Sequence, residues 1–164
     1  RMRKLVTILS GIPGSGKSSW ARDRWIAEDS SEVWVGIHSA DKYFLDPSTG
    51  TYVFDKTKLG EAHARCLEGY TCNVSADYHA PEGRHLIVDN TNTTALEIAP
   101  YAALALAFGW ELELVTFLCT PETGARRNVH GVSLKTCRNM AYNLDRRNLP
   151  ERWAKYERII EVKE

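Results

Sequence analysis

The stretch Lys4-Leu5-Val6-Thr7-Ile8-Leu9-Ser10-Gly11-Ile12-Pro13-Gly14-Ser15-Gly16-Lys17-Ser18 decides the fold. Its first half carries apolar residues on both faces, as a strand buried inside a parallel sheet must. The pattern Gly-x-x-x-x-Gly-Lys-Ser follows directly, filled by Gly11, Gly16, Lys17 and Ser18, and a helical segment runs from Lys17 to about Ala27. A strand before and a helix after are the context this motif requires. Glycines let the backbone curl so that successive N–H groups face phosphate oxygens, and the helix adds its positive end. Gly11, Pro13, Gly14, Ser15, Gly16, Lys17 and Ser18 therefore read as a cradle for ATP and Mg²⁺. Lys17 reaches the β- and γ-phosphates and the Ser18 hydroxyl serves the metal. The motif identifies a triphosphate site and leaves the reaction open.

Outward from the cradle, apolar runs alternate with helical patterns. Val33 to Ile37, His85 to Asp89 and Glu111 to Leu118 read as strands, and Tyr156 to Val162 as a last strand in preference to a helix. Helices are expected from about Thr57 to Tyr70, through Ala102 to Phe108, from Pro121 to Asn128, and from Ser133 to about Arg146. Gly109 is placed to end the second of these, with Pro100 near its first turn or kinking it. Pro121 suits a first helical turn and Ser133 an N-cap. Asp46 to Gly50 is a loop by turn chemistry. The alternation predicts an α/β three-layer sandwich, a parallel sheet flanked by helices: a P-loop NTPase, adenylate-kinase-like with a C-terminal lid. Ligands then lie beyond the carboxyl ends of the strands.

The length of 164 residues fits one kinase domain over residues 1–164, with a lid at about 126–133. The balance of 21 basic and 21 acidic residues argues against a coat for long nucleic acid, which needs a basic excess, but leaves room for an enzyme that touches one strand end. No apolar run approaches the roughly 20 residues of a membrane span. Arg1-Met2-Arg3-Lys4 shows no signal-peptide pattern, and Arg1 ahead of Met2 reads as a trimmed start or an excised domain, leaving open what lay upstream. Cys66, Cys72, Cys119 and Cys137 lack zinc-site spacing and fit buried packing thiols in a reducing cytoplasm.

A kinase needs a carboxylate near its acceptor hydroxyl. Asp41, in Ser39-Ala40-Asp41-Lys42-Tyr43-Phe44, lies just past a strand end and is placed to orient an alcohol and take its proton; the alternative is a loop acid capping a short helical turn. Asp89 ends a strand beside the cradle, where it can hold Mg²⁺ through water, or fix an arginine or the P-loop serine. Asn90 and Asn92 read equally as substrate-positioning or turn residues. Arg126, Arg127 and His130 lie between two helices, in a segment suited to a lid whose arginines fold over phosphate charge. Arg138, Arg146 and Arg147 read as surface charges.

With Gly-Ile-Pro-Gly-Ser-Gly-Lys-Ser-Ser-Trp-Ala-Arg, Ser-Ala-Asp, Asp-Asn-Thr-Asn and Arg-Arg-Asn in this order, residues 4 to 145 resemble the kinase domain of bacteriophage-type polynucleotide 5′-hydroxyl kinases. They are more similar still to a related group of polynucleotide-kinase-like P-loop proteins that share the stretch Arg127 to Ser133 and Glu61-Ala62-His63. The resemblance implies transfer of the γ-phosphate of ATP to a 5′-OH end of DNA or RNA. Asp41 would be the general base, Asp89 a support of the site, and Arg126 or Arg127 the lid arginine. Two positions depart from the pattern: Phe44 stands where the phage-type enzyme has a substrate-binding arginine, and His130 replaces or displaces a second lid arginine. Tyr43, Phe44, Tyr52 and His63 then make an aromatic acceptor pocket, by stacking on a base or by packing on the core. The rival readings are a P-loop kinase of another alcohol (a nucleoside or nucleotide, a small metabolite, a hydroxymethylated base) and a non-catalytic nucleotide-dependent module.

Overall fold

The computed structural model describes residues 3–76 and 83–164. Five strands form one sheet: β1 (Arg3–Ser10), β2 (Val33–His38), β3 (Gly83–Asp89), β4 (Glu111–Leu118) and β5 (Glu157–Glu161). Their spatial order is β2-β3-β1-β4-β5, and every pairing is parallel. The helices are α1 (Lys17–Glu28), α2 (Leu59–Ser75), α3 (Ala95–Ala107), α4 (Pro121–Arg127), α5 (Leu134–Asp145) and α6 (Glu151–Ala154). The expected tail strand is present as β5, the short α6 was not foreseen, and of the cysteines expected inside, Cys66 and Cys137 are buried while Cys72 is exposed and Cys119 half-buried.

Strand periodicity distributes the core. Val6, Ile8, Leu86, Val88, Leu112 and Leu114 pack with residues of α2 and α3 in one buried cluster. Leu9, Ile87, Val115 and Phe117, two faces of the same strands being available, pack with Ala21 of α1 in another. Burying each such aliphatic side chain contributes roughly 1.5–3 kcal/mol, enough to fix the register of the central strands. The register sets Leu9 of β1 opposite Asp89 of β3 and Ser10 opposite Thr116 of β4. The start of the cradle is thus level with both neighbouring strand ends.

Local chemistry explains the helix limits. Thr94 and Glu97 form a capping box, so α3 begins earlier than expected and Pro100 lies inside it, giving up one backbone bond rather than opening the helix. At its far end Gly109, at φ 71°, donates to Leu106 O at 3.1 Å, and Trp110 donates to Ala105 O at 2.9 Å. That is a Schellman closure, and it requires the left-handed residue that glycine supplies. A short 3₁₀ turn, Lys56–Lys58, leads into α2, which runs on to Ser75. Its end is closed by Arg84 of β3, whose guanidinium donates to Asn73 O and to Ala76 O and lies 4.9 Å from the Trp110 ring. Among the described residues no helix is long and apolar enough to cross a membrane.

Candidate active site

Between β1 and α1 the chain makes the turn that the sequence foretold. Gly14 and Gly16 have φ of 76° and 97°, left-handed values that other residues rarely adopt. Gly14 has a second reason to be glycine: a Cβ there would stand 2.3 Å from Gly124 O, on α4. Gly124 answers in kind, since its own Cβ would stand 2.6 Å from Pro13 O. Loop and helix therefore touch backbone to backbone, a contact that nothing in the sequence around Gly124 announced. α3, α4 and α5 each begin under a side-chain cap from Thr94, Thr120 or Ser133. α1 begins on Gly16 with no side-chain cap and no acid in its first turn, so its leading N–H groups remain directed at the cradle.

Lys17 is buried, its ammonium donating to Ile12 O at 3.0 Å and reaching Ser15 Oγ at 3.5 Å. Burial pushes its pKa below the usual lysine value, while the charges of Asp89 and Asp41 oppose the shift. Asp89 is buried too, and burial raises its pKa; a hydrogen bond from the Ser18 side chain and the Lys17 charge act the other way. Serine hydroxyl and strand-end carboxylate thus meet on one side of the cradle. This pair of oxygen donors fits a hard divalent cation.

Asn90 and Asn92 turn out to hold the frame. Asn90 Oδ1 accepts from Ala40 N at 2.8 Å, fixing the start of the 3₁₀ segment Ala40–Phe44 that carries Asp41. Asn92, at φ 45°, donates from Nδ2 to Leu9 O at 2.8 Å and accepts from Ser10 Oγ at 2.8 Å through its carbonyl. Arg147, expected on the surface, is the clearest correction. Its side chain is 4% exposed, donating to Ser10 Oγ, to Asn92 O at 3.3 Å and to Thr116 Oγ1 at 3.2 Å, and pairing with Glu157 at 3.0 Å. It ties β1, β4 and β5 together beneath the cradle. Arg138 and Arg146 are exposed as expected.

Asp41 lies on the same rim. Its charge acts on both Lys17 and Asp89, so the three groups share one electrostatic neighbourhood. Ser39 caps the 3₁₀ segment by accepting from Asp41 N at 3.3 Å, leaving the carboxylate half exposed. One oxygen accepts from Tyr52 Oη at 3.3 Å, and the other lies 3.6 Å from His130 Nε2. Phe44 is buried in the core, edge-on to Tyr43, Tyr52 and Phe54, so packing claims its ring. The Tyr43 hydroxyl bonds the Glu61 carboxylate of α2 and lowers its pKa. His63 is half-buried on α2, and no hydrogen bond, ion pair or ring contact among the described residues joins it to Asp41. An open hollow of about 260 Å³ lies beside the segment, between β2 and α2, with Lys42 and Arg65 on its walls.

Arg126 and Arg127 occupy the last turn of α4, both exposed, and Arg127 donates to Lys163 O at 3.0 Å in the C-terminal tail. The loop that follows is pinned by one side chain: Asn128 Nδ2 reaches Gly124 O, Ala125 O and Val132 O at 3.0–3.1 Å, and its Oδ1 accepts from Val132 N at 2.8 Å. This presents His130 toward Asp41.

Comparison with known proteins bears on this geometry. A family model described as an AAA domain matches residues 6–131, from the first strand through the loop after α4. The chain belongs to this AAA domain family. Over 150 residues, 87% of its length, it is 34% identical to human NEDD4-binding protein 2. It spans only 8% of that relative. Among solved structures, Mycobacterium tuberculosis APS kinase CysC in complex with AMPPNP and APS aligns over 100% of this chain and 91% of its own, with a TM-score of 0.57 and 15% identity. The Pnkp1/Rnl/Hen1 complex aligns over 81% of this chain and 42% of its own, with a TM-score of 0.57 and 18% identity. The architecture of this family member is accordingly the P-loop kinase-like α/β fold.

Proposed function

We propose that this AAA-family domain is an ATP-dependent phosphotransferase whose acceptor is a nucleic-acid hydroxyl, a 5′-OH end of DNA or RNA. The observation that carries the proposal is the shared rim of Asp41, Lys17 and Asp89: a carboxylate open to an alcohol beside a lysine set in a phosphate-binding turn. The loop amides and Lys17 hold the β- and γ-phosphates of ATP. Ser18 and Asp89 would hold Mg²⁺, which would neutralise charge on the β- and γ-phosphates. Asp41 accepts the proton of the acceptor hydroxyl as that oxygen attacks the γ-phosphorus in line, with ADP leaving. Residues 126–133 act as a lid, Arg126 and Arg127 turning toward the charge spread over the transferring group. The motif series shared with polynucleotide kinases supports the 5′ end as acceptor.

A second acceptor class, small alcohols, draws support from zero net charge and from Phe44 standing buried where an arginine would meet substrate phosphate. One assay separates the readings. The protein is incubated with γ-labelled ATP and Mg²⁺ and, in parallel, 5′-OH oligonucleotides, hydroxymethyl-base DNA or free nucleosides. Label on the oligonucleotide end is the expected result. Label on another alcohol moves the assignment to that class, and ATP binding without transfer leaves a nucleotide-dependent module.

A further inference from the structure

We infer that Tyr52 and His130 form a two-ring clamp that positions the Asp41 carboxylate for its acceptor, so that the turn after β2 and the loop after α4 complete one site. The inference rests on the kinase reading above and adds two positioning residues to it.

Among the described residues each carboxylate oxygen has one polar side-chain partner. Tyr52 Oη donates to Oδ1 at 3.3 Å, and His130 Nε2 stands 3.6 Å from Oδ2, a charge-pair distance rather than a hydrogen bond. A carboxylate offers about four lone-pair directions, so two partners still leave room for an incoming hydroxyl. Without partners, a half-exposed aspartate samples several rotamers. A general base must instead hold its oxygen within about 2.6–3.2 Å of the hydroxyl oxygen whose proton it takes. The two rings also brace one another, with centroids 4.3 Å apart and planes tilted by 36°.

Both rings are anchored from behind. Tyr52 is held by its bridge to Leu45 and by a loop in which Asp46 Oδ1 accepts from Ser48 N at 2.8 Å and Gly50, at φ 70°, donates to Asp46 O at 2.8 Å. Its ring rests against that of Phe44, 6.0 Å away, and Phe44 belongs to the core. His130 is held by the Asn128 bonds that fix residues 128–132. Burial and the Asp41 charge push the Tyr52 phenol up to about 12, so it stays a neutral donor across the working range. Phe44 and His130, the two departures from the phage-type pattern, therefore belong to a single physical unit. The Phe44 ring thus supports the base through Tyr52, and the loop after α4 is tied to base orientation through His130.

The test is a set of double-mutant cycles. Tyr52→Phe keeps the ring and removes the donor; His130→Ala removes the ring, with His130→Phe as the ring-conserving substitute if the alanine variant melts early. Each is measured alone and combined with Asp41→Asn, using Mg²⁺, ATP and the acceptor that the wild-type protein labels. Each single variant should lower kcat about 10-fold, the cost of a displaced reacting group, with ATP affinity unchanged. Combined with Asp41→Asn, neither should lower the residual rate further, because the group they position is gone. Losses that add in full to that of Asp41→Asn, or that fall on ATP affinity, overturn the clamp. A wild-type protein that labels a different alcohol overturns the acceptor assignment, and the clamp is then judged by the same cycles on that alcohol. No transfer to any acceptor overturns both.

Discussion

The two halves of the site are built by different means. The phosphate cradle is made of backbone: glycines at φ 76° and 97°, uncapped helix N–H groups, and a lysine with its charge inside the protein. The proposed acceptor flank is made of side chains: Asp41, Tyr52 and His130 come from three segments, and the Asp41 side chain is 54% exposed. Backbone donors are positioned by eight consecutive residues and tolerate little change. Side-chain partners gathered across the chain can be exchanged one at a time. In the proposed kinase, nucleotide binding is therefore the fixed half of the domain and acceptor choice the adjustable one.

The sharpest way to break that contrast is to remove one charged group from each half. Lys17→Ala and Asp41→Ala should each reduce phosphoryl transfer by at least about 10²-fold in a γ-label assay. They should part company in ATP titrations, where only Lys17→Ala weakens binding. If Asp41→Ala lost ATP affinity as well, the two halves would be one. Next comes Arg147, beneath the cradle. Arg147→Met strands the Glu157 carboxylate and removes donors from Ser10, Asn92 and Thr116, and should cost about 3 kcal/mol in urea unfolding.

Gly124→Ala probes the cradle from the outside. Its Cβ would meet Pro13 O at 2.6 Å and Ile12 Cδ1 at 2.7 Å, so α4 must back away from the loop. A loss of about 1–3 kcal/mol, accompanied by weaker ATP binding, is expected in calorimetry. The smallest effect lies away from both halves, at His38, the last residue of β2, and is read by pH. Burial, reinforced by the Lys42 charge, lowers the His38 pKa from 6.5 to about 4. The unfolded chain therefore binds the proton first, and stability falls as pH drops from 6.5 towards 4. The part of that fall due to this residue should disappear in His38→Asn, measured as unfolding free energy against pH.

The strand, loop and first helix were legible because each depends on neighbours a few residues apart: apolar runs, glycine conformations and a positive helix end. The same holds for Ser133 and Pro121, which cap and open their helices as expected. Arg147 was misread for the opposite reason. An arginine three residues before a proline carries no local mark of burial, and its partners lie 10 to 137 positions away. Asn90 and Asn92 stood between two readings until their partners, Ala40 N and Leu9 O, were visible. Phe44 was similarly open, and the core claimed it.

What the sequence determined alone is the triphosphate-binding turn and the parallel α/β sandwich around it, because hydrophobic period and glycine stereochemistry act over short range. What only the tertiary structure decided is how the rim is furnished. Tyr52 and His130 are 78 positions apart in the chain and in contact in the fold, and Gly14 meets Gly124 with no space for a methyl group between helix and loop. Such contacts follow from the way whole layers pack, and no stretch of sequence encodes them locally.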